Sequence, residues 1–176
     1  MKKKVLLITI TLVAILIGEE SLFCEQAQKD MFASVVVLPS FKLSLDNANI
    51  NFGYTEPGKT VELYPQLHYN EVKCISNKGR TWYLKLSVIG DIVGPPEAKV
   101  GIDSFKWMVA RAIGDGIVEK GWHPFSKDLS IAYTSGQMDQ MGEEVTIQFR
   151  YKLDLPPNAK GGIYSVNVLY TMTDVP

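Results

Sequence analysis

Three stretches of this sequence alternate apolar and polar residues with a period of two, and this feature constrains the fold most. In residues 145–155, every odd position is apolar and every even position is polar. Residues 82–88 and 164–172 follow a similar rule, and Trp82 is in phase with Leu84. Such alternation is typical of antiparallel strands with one dry and one wet face. The sequence therefore predicts an all-β protein in which Trp82 is a core residue.

Shorter apolar runs, separated by turn signals, predict the remaining strands. Glycine-containing turns at residues 56–59 and 77–80 are examples of these signals. Residues 100–113 favour a strand over a helix because Phe105 and Trp107 stand two positions apart among polar or smaller residues. Further strands are predicted at residues 34–38, 41–45, 61–63, 67–75 and 129–133. About eight or nine short strands without a linker predict a single immunoglobulin-like antiparallel β-sandwich.

The N-terminal residues have the organisation of a secretory signal peptide. Three lysines at positions 2–4 precede an apolar run over residues 5–18, which is shorter than the roughly 20 residues of a membrane span. Cleavage after Cys24, cleavage after Ala27 and retention as an anchor all stay open. We expect a signal peptide at 1–27 and a β-sandwich domain at 28–176. The mature protein is then secreted or held at the cell surface, without membrane association after signal removal.

The charge balance argues against a nucleic-acid partner. Removal of residues 1–27 takes away three lysines and three glutamates and leaves 15 basic and 16 acidic residues. A nearly neutral chain has no electrostatic footprint for a polyanion. The sequence therefore predicts no nucleic-acid binding.

Groups that could form a catalytic or metal site are scarce. The two histidines, His68 and His123, are far apart in sequence, and no nucleophile elbow, phosphate loop, paired-histidine helix or cysteine cluster is present. Cys74 lies in an apolar alternating stretch, where a buried and inert thiol is expected. We expect no enzyme activity, no metal and no cofactor.

One long loop carries the best candidates for a contact surface. Residues 114–127 contain Trp122, His123 and Phe125 between glycine and proline residues. Aromatic rings on loops stack on sugars or anchor a protein partner; alternatively, this loop folds back as a lid over the sandwich. We expect a mixed role, in which Phe125 packs inward and Trp122 points outward. Trp107 is a further candidate, because its alternating strand leaves its face undecided.

A family resemblance rests on short motifs. Residues 82–84 read Trp-Tyr-Leu, and the chain ends in a tyrosine-rich strand with a late proline over residues 164–176. These features resemble the bacterial WxL domain, as does Ile-Asn-Phe-Gly at residues 50–53. Where the second Trp-x-Leu of that family is expected, this chain has Tyr170 and Met172. The ending is equally similar to spore-coat-type and pilin-like secreted sandwiches. The WxL resemblance implies binding to the cell wall.

Together these features predict a non-enzymatic extracytoplasmic surface module. It contributes to envelope structure or adhesion by binding a cell-wall polymer or a surface protein. One alternative is a carbohydrate-binding accessory module with Trp122 and Trp107 as sugar platforms; burial of both rings would remove it. The other is a pilin-like subunit that polymerises by strand exchange. It ranks lower because the last predicted strand, residues 164–172, is complete.

Overall fold

A computed structural model of the chain describes residues 34–63, 70–96, 98 and 100–176. The chain divides into two units, residues 1–36 and residues 37–176. All of the described regular structure belongs to the second unit. The predicted signal peptide and His68 lie outside the described residues.

Ten β-strands form two antiparallel sheets in the described part of the chain. They are β1 (Phe41–Leu45), β2 (Thr60–Glu62), β3 (Asn70–Ser76), β4 (Tyr83–Val93), β5 (Phe105–Ile113), β6 (Ile117–Val118), β7 (His123–Pro124), β8 (Ser130–Thr134), β9 (Glu144–Asp154) and β10 (Ser165–Thr173). The six-stranded sheet has the order β1-β3-β9-β5-β7, with β2 also paired to β9. The four-stranded sheet has the order β10-β4-β8-β6. The described helical segments are two single-turn 3-10 helices, Ile102–Ser104 and Met138–Gln140. The predicted all-β sandwich is confirmed.

The apolar faces of the two sheets meet in one core. Strand β9 shows how the period-two pattern builds it, because its odd-numbered side chains turn inward and its even-numbered ones turn outward. Its inward residues Val145, Ile147, Phe149 and Tyr151 are at most 2% exposed. Trp82, just before β4, is 0% exposed, which confirms its predicted core position.

Most predicted strands are confirmed to within a few residues, but the strand expected at residues 34–38 is wrong. Residues 34–40 have no regular secondary structure and are exposed. A strand exists only where a neighbour pairs with its backbone, and no described residue supplies that ladder here. The region 100–113 is a strand only from Phe105, and a 3-10 turn precedes it.

Candidate functional site

Two of the four predicted contact residues lie inside the sandwich. Trp107 is 1% exposed and Phe125 is 2% exposed. Phe125 stacks on Phe105 at a centroid distance of 4.4 Å, and Trp107 stacks on His123 at 4.7 Å. Phe125 therefore packs inward as expected. Trp107 is buried, so it cannot serve as a sugar platform.

Trp122 lies outside the core, where basic side chains cover one of its surfaces. It is half-buried, with the Lys152 Nζ 4.7 Å and the Arg150 Cζ 5.9 Å from its ring centre. Both basic residues project from the outer face of β9, and Arg150 is paired with Glu62. His123 is half-buried beside it, and its Nε2 lies 3.1 Å from the Lys120 carbonyl oxygen. These contacts are those of a loop that covers the sheet.

The loop holding these residues is more regular than predicted. Within residues 114–127, β6 pairs with β8 and β7 pairs with β5, so the segment joins both sheets. Two-residue strands carry no readable periodicity, which is why the sequence did not indicate them. Their positions anchor the loop to the sandwich at two points.

The most deeply buried carboxylate among the described residues has a structural role. Asp139 is 2% exposed. Its side-chain oxygens accept hydrogen bonds from the Tyr133 hydroxyl at 2.7 Å and from the backbone N–H groups of Asp115 and Gly136, each at 2.8 Å. Its backbone oxygen accepts the Trp82 Nε1–H at 3.1 Å. These contacts tie the segment around Asp139 to β8, to the loops at Asp115 and Gly136, and to the Trp82 ring. Among the described residues there is no group of three or more potential metal ligands.

The nine-residue strand β10 forms one edge of the four-stranded sheet. It pairs with β4 along one side, and no other described strand pairs with its second side. The other sheet-end strands are shorter: β1 has five residues, and β6 and β7 have two each. Proteins protect sheet edges with short strands, charges, prolines or bulges. Apart from a bulge near its start, β10 has none of these, since Ser165–Thr173 contains no charged residue and no proline.

The side chains under this edge are incompletely covered. Those of β10 that face the core are all part-buried, unlike their counterparts in β9. They are Val166, Val168, Tyr170 and Met172. Strand β1, at the edge of the other sheet, is equally open, with Phe41 and Leu43 part-buried. These part-buried side chains form an apolar groove, here called the seam, along this side of the sandwich. It consists of Val166, Val168, Tyr170 and Met172 of β10 and Phe41 and Leu43 of β1.

One lysine shows that the two open edges lie on the same side. The Lys78 Nζ is 4.1 Å from the centre of the Phe41 ring in β1. The same atom donates a hydrogen bond to the Asp174 carboxylate, directly after β10, at 3.1 Å. The edges of β1 and β10 are therefore neighbours, and the seam lies between them.

A polar cluster lies at the inner end of the seam. The hydroxyls of Tyr170 on β10 and Tyr151 on β9 contact each other, and both lie 3.3 Å from the side-chain amide of Asn70 on β3. Burial raises the pKa of Tyr170 to about 12. The cluster ties β10 to the opposite sheet and leaves its outer side free.

A separate cleft opens where β9 ends. Its volume is about 660 Å³, and its walls come from residues 50–57, the end of β9 and residues 159–164. Tyr54 and Ile163 are among the most exposed apolar side chains described, and Tyr164 lines the same cleft. Exposed rings beside polar backbone can stack on a sugar.

The sequence alone did not indicate the open edge. The last strand of the chain was predicted from the sequence and is confirmed. Whether a strand has one neighbour or two, however, depends on residues far away in the chain. The absence of charge in Ser165–Thr173 is the one local sign that could have pointed to it. Tyr54 carried no signal, since it lies in an irregular segment.

Comparisons with known proteins identify no relative. No protein-family model, curated protein or solved structure matches the chain. Within the residues that the structure describes, no helix could span a lipid bilayer.

Proposed function

We propose that this chain is an exported, non-enzymatic surface module that binds a surface protein through the open edge of β10. The observation that carries the proposal is the edge itself: nine residues without charge or proline, paired on one side only among the described strands. A long unprotected edge is a template for another chain. In a protein exposed to other polypeptides, such an edge needs an occupant.

The chemistry of the seam suits an extended polypeptide. A bound strand would form main-chain hydrogen bonds with β10, and every second side chain would enter the apolar seam. Nine residues offer about 30 Å of edge. Because Val166, Val168 and Met172 are already part-buried, a partner's apolar side chains would complete their burial.

A protein partner fits this edge better than a cell-wall polymer. Sugar recognition relies on exposed rings and convergent polar groups, whereas the seam presents aliphatic side chains and backbone amides. The wall binding implied by the WxL resemblance stays a prediction. It would have to use a different surface from this edge.

The test compares two matched lysine substitutions. Leu169 is 42% exposed on β10, and Ile117 is 75% exposed on β6, at the opposite end of the same sheet. A lysine on an edge strand opposes pairing. The wild type and both variants would be immobilised and exposed to envelope proteins, purified wall polymer and soluble glycans.

We expect Leu169→Lys to lower retention of envelope protein by at least about tenfold, the effect of losing 1.4 kcal/mol. Ile117→Lys should bind like the wild type. Equal retention by all three proteins would refute the use of the edge. If the wild type instead retained only protein-free wall polymer and no envelope protein, the wall binding implied by the WxL resemblance would be favoured.

A second candidate function is glycan binding in the cleft beside Tyr54. The specific observation is an exposed tyrosine at the mouth of a cavity of about 660 Å³. Of the two predicted sugar platforms, Trp107 is buried and cannot serve, whereas Trp122 is half-buried and stays a prediction. Tyr54→Ala should then reduce binding to soluble glycans, while Leu169→Lys should not; the reverse result would assign binding to the edge.

A further inference from the structure

We infer that the occupant of the β10 edge is the same edge of a second copy, so that two sandwiches pair β10 with β10 in an antiparallel, two-fold symmetric dimer. The inference rests on the proposed function of the edge and names its partner. No segment is exchanged between the copies. Because the same surface is used on both sides, the contact is isologous and closes at two.

The edge of β10 lacks the features that keep copies of a protein apart. Charged side chains and prolines on an edge strand prevent two such edges from pairing with each other. Ser165–Thr173 contains neither, so two β10 strands meet without charge repulsion between them. The five-residue edge strand β1, by contrast, carries Lys42. Among the described sheet ends, β10 is therefore the one best suited to self-pairing.

The sequence of β10 is complementary to its own reverse. Directly opposed residues of an antiparallel pair lie on the same face of the sheet. Leu169 is the fifth of the nine residues, so an axis through it pairs every residue of both strands. The core-facing pairs would be Val166 with Met172 and Val168 with Tyr170, and the outward pairs would be Ser165 with Thr173 and Asn167 with Thr171. The pairs facing the core would cover the seam, and hydroxyl and amide side chains would meet on the wet face.

Leu169 is the side chain that favours this register over a shifted one. It is 42% exposed, and it is the one apolar residue among the outward side chains of β10. Its direct cross-strand neighbour on β4 is Ser87, which offers it no apolar contact. A two-fold axis through Leu169 would place the leucines of both copies opposite each other, with their Cβ atoms about 5 Å apart. This pairing removes an exposed apolar side chain from water in each copy.

The expected contact is large enough for a specific dimer. The edge is about 30 Å long, and two sheets about 10 Å apart, with their side chains, make it about 20 Å high. It would bury about 600 Å² on each copy and about 1,200 Å² in total, at the lower limit for stable and specific interfaces. The seam supplies the apolar part of this area, and the unpaired backbone groups of β10 supply its hydrogen bonds.

The two-fold symmetry supplies a test, because a substitution at Leu169 would meet itself across the axis. Like charges placed directly opposite destabilise a pair of strands, whereas opposite charges stabilise it. Leu169→Lys and Leu169→Glu should therefore each prevent pairing, and a mixture of the two should restore it. A contact between two different surfaces would not behave in this way, since residue 169 would never face another residue 169.

The experiment uses the full-length sequence, expressed in cells and purified in the form they accumulate. Light scattering after size exclusion gives the mass of the wild type, of Leu169→Lys, of Leu169→Glu and of their equimolar mixture. Ile117→Lys, at the opposite end of the same sheet, is the matched control. Far-ultraviolet circular dichroism checks that each variant keeps its strands.

A cysteine variant tests the position of the axis directly. Leu169→Cys is prepared in a Cys24→Ser background, in which the other thiol is that of the buried Cys74. The protein is oxidised and separated on a non-reducing gel. Ile117→Cys in the same background is the control, because residue 117 is more exposed than Leu169 but does not lie on the axis.

We expect the wild type and Ile117→Lys to be dimers and the two Leu169 charge variants to be monomers. Their dissociation constants should rise at least about a hundredfold, tenfold for each of the two opposed side chains. The mixture should have the dimer mass, and Leu169→Cys should cross-link while Ile117→Cys does not. Restoration in the mixture would not occur if the charge variants had simply lost their fold.

Several results would overturn the inference. A wild type that is monomeric at high concentration, or that grows into larger assemblies, does not form a closed pair. Charge variants that remain dimeric would mean that other surfaces join the copies. If the mixture stays monomeric, the cysteine variant decides: a cross-link at position 169 keeps the two edges opposed, and its absence excludes them.

Failure of the inference and failure of the proposed function give different results. A monomeric wild type, combined with lower retention of envelope protein by Leu169→Lys, leaves the proposed function standing and excludes only the second copy. A dimeric wild type that Leu169→Lys dissociates, combined with equal retention of envelope protein, supports the inference and excludes capture of a different surface protein.

Discussion

Replacement of Trp82 by alanine tests how the core of this sandwich is built. Trp82 is 0% exposed, and its ring lies 5.5 Å from that of Tyr133. Its Nε1–H donates to the Asp139 backbone oxygen at 3.1 Å, and its backbone N–H donates to the Ser135 hydroxyl at 2.8 Å. The substitution removes the ring and the first of these hydrogen bonds but leaves the backbone contact.

The expected loss follows from the buried area. A large aromatic side chain buries about 200 Å², which at about 25 cal/mol per Å² gives about 5 kcal/mol as an upper bound. Alanine retains the Cβ, and the site collapses in part, so we expect Trp82→Ala to lower the free energy of unfolding by about 3–5 kcal/mol. Trp82→Phe keeps most of the ring but leaves the Asp139 carbonyl unpaired, which costs about 1–3 kcal/mol.

Urea denaturation followed by circular dichroism measures both variants. The phenylalanine variant remains informative if the alanine variant does not fold, since 5 kcal/mol is comparable to the whole stability of some domains. A loss below about 1 kcal/mol for Trp82→Ala would refute the assignment of the inner face of β4. It would also mean that the alternating pattern of inward side chains does not begin at Trp82.

Four further predictions concern single side chains. Asp139→Asn should lower the free energy of unfolding by about 2–3 kcal/mol in urea melts, because an amide cannot accept all three hydrogen bonds of the carboxylate. Burial raises the pKa of the Cys74 thiol to about 12, so a thiol reagent at pH 8 should label this residue only after the protein is unfolded in urea. Trp122→Ala should cost about 1 kcal/mol, the worth of its cation contacts, and should leave retention of envelope protein unchanged. The Lys106 ammonium holds the pKa of Asp154 below its usual range, so its contribution to stability is present above about pH 4 and is lost as the pH falls through the folded-state pKa. The stability difference between the wild type and Asp154→Asn should therefore shrink between pH 7 and pH 3.

The placement of Cys74 and Phe125 was predictable, but that of Trp107 was not. Cys74 lies in an alternating apolar stretch and Phe125 in a loop whose aromatic content favoured inward packing, and the structure buries both. Trp107 alternates in the same way, yet its pattern is compatible with either face of a strand. It is buried because it lies on the inner face of β5, where its ring contacts Phe149 in the core and His123, its cross-strand neighbour on β7. That pairing involves two residues and leaves no periodic signal.

The sequence by itself determined the β class, the approximate strand positions and the core residue Trp82. These depend on local alternation, and a strand that buries one face must repeat every two residues. Only the tertiary structure decided which strand ends each sheet, and therefore that β10 has an open edge. It also decided that residues 34–38, which have the composition of a strand, have no partner among the described residues. The physical reason is that strand pairing is a contact between distant segments: a sequence indicates which residues prefer an extended backbone, but not which of them find a neighbour.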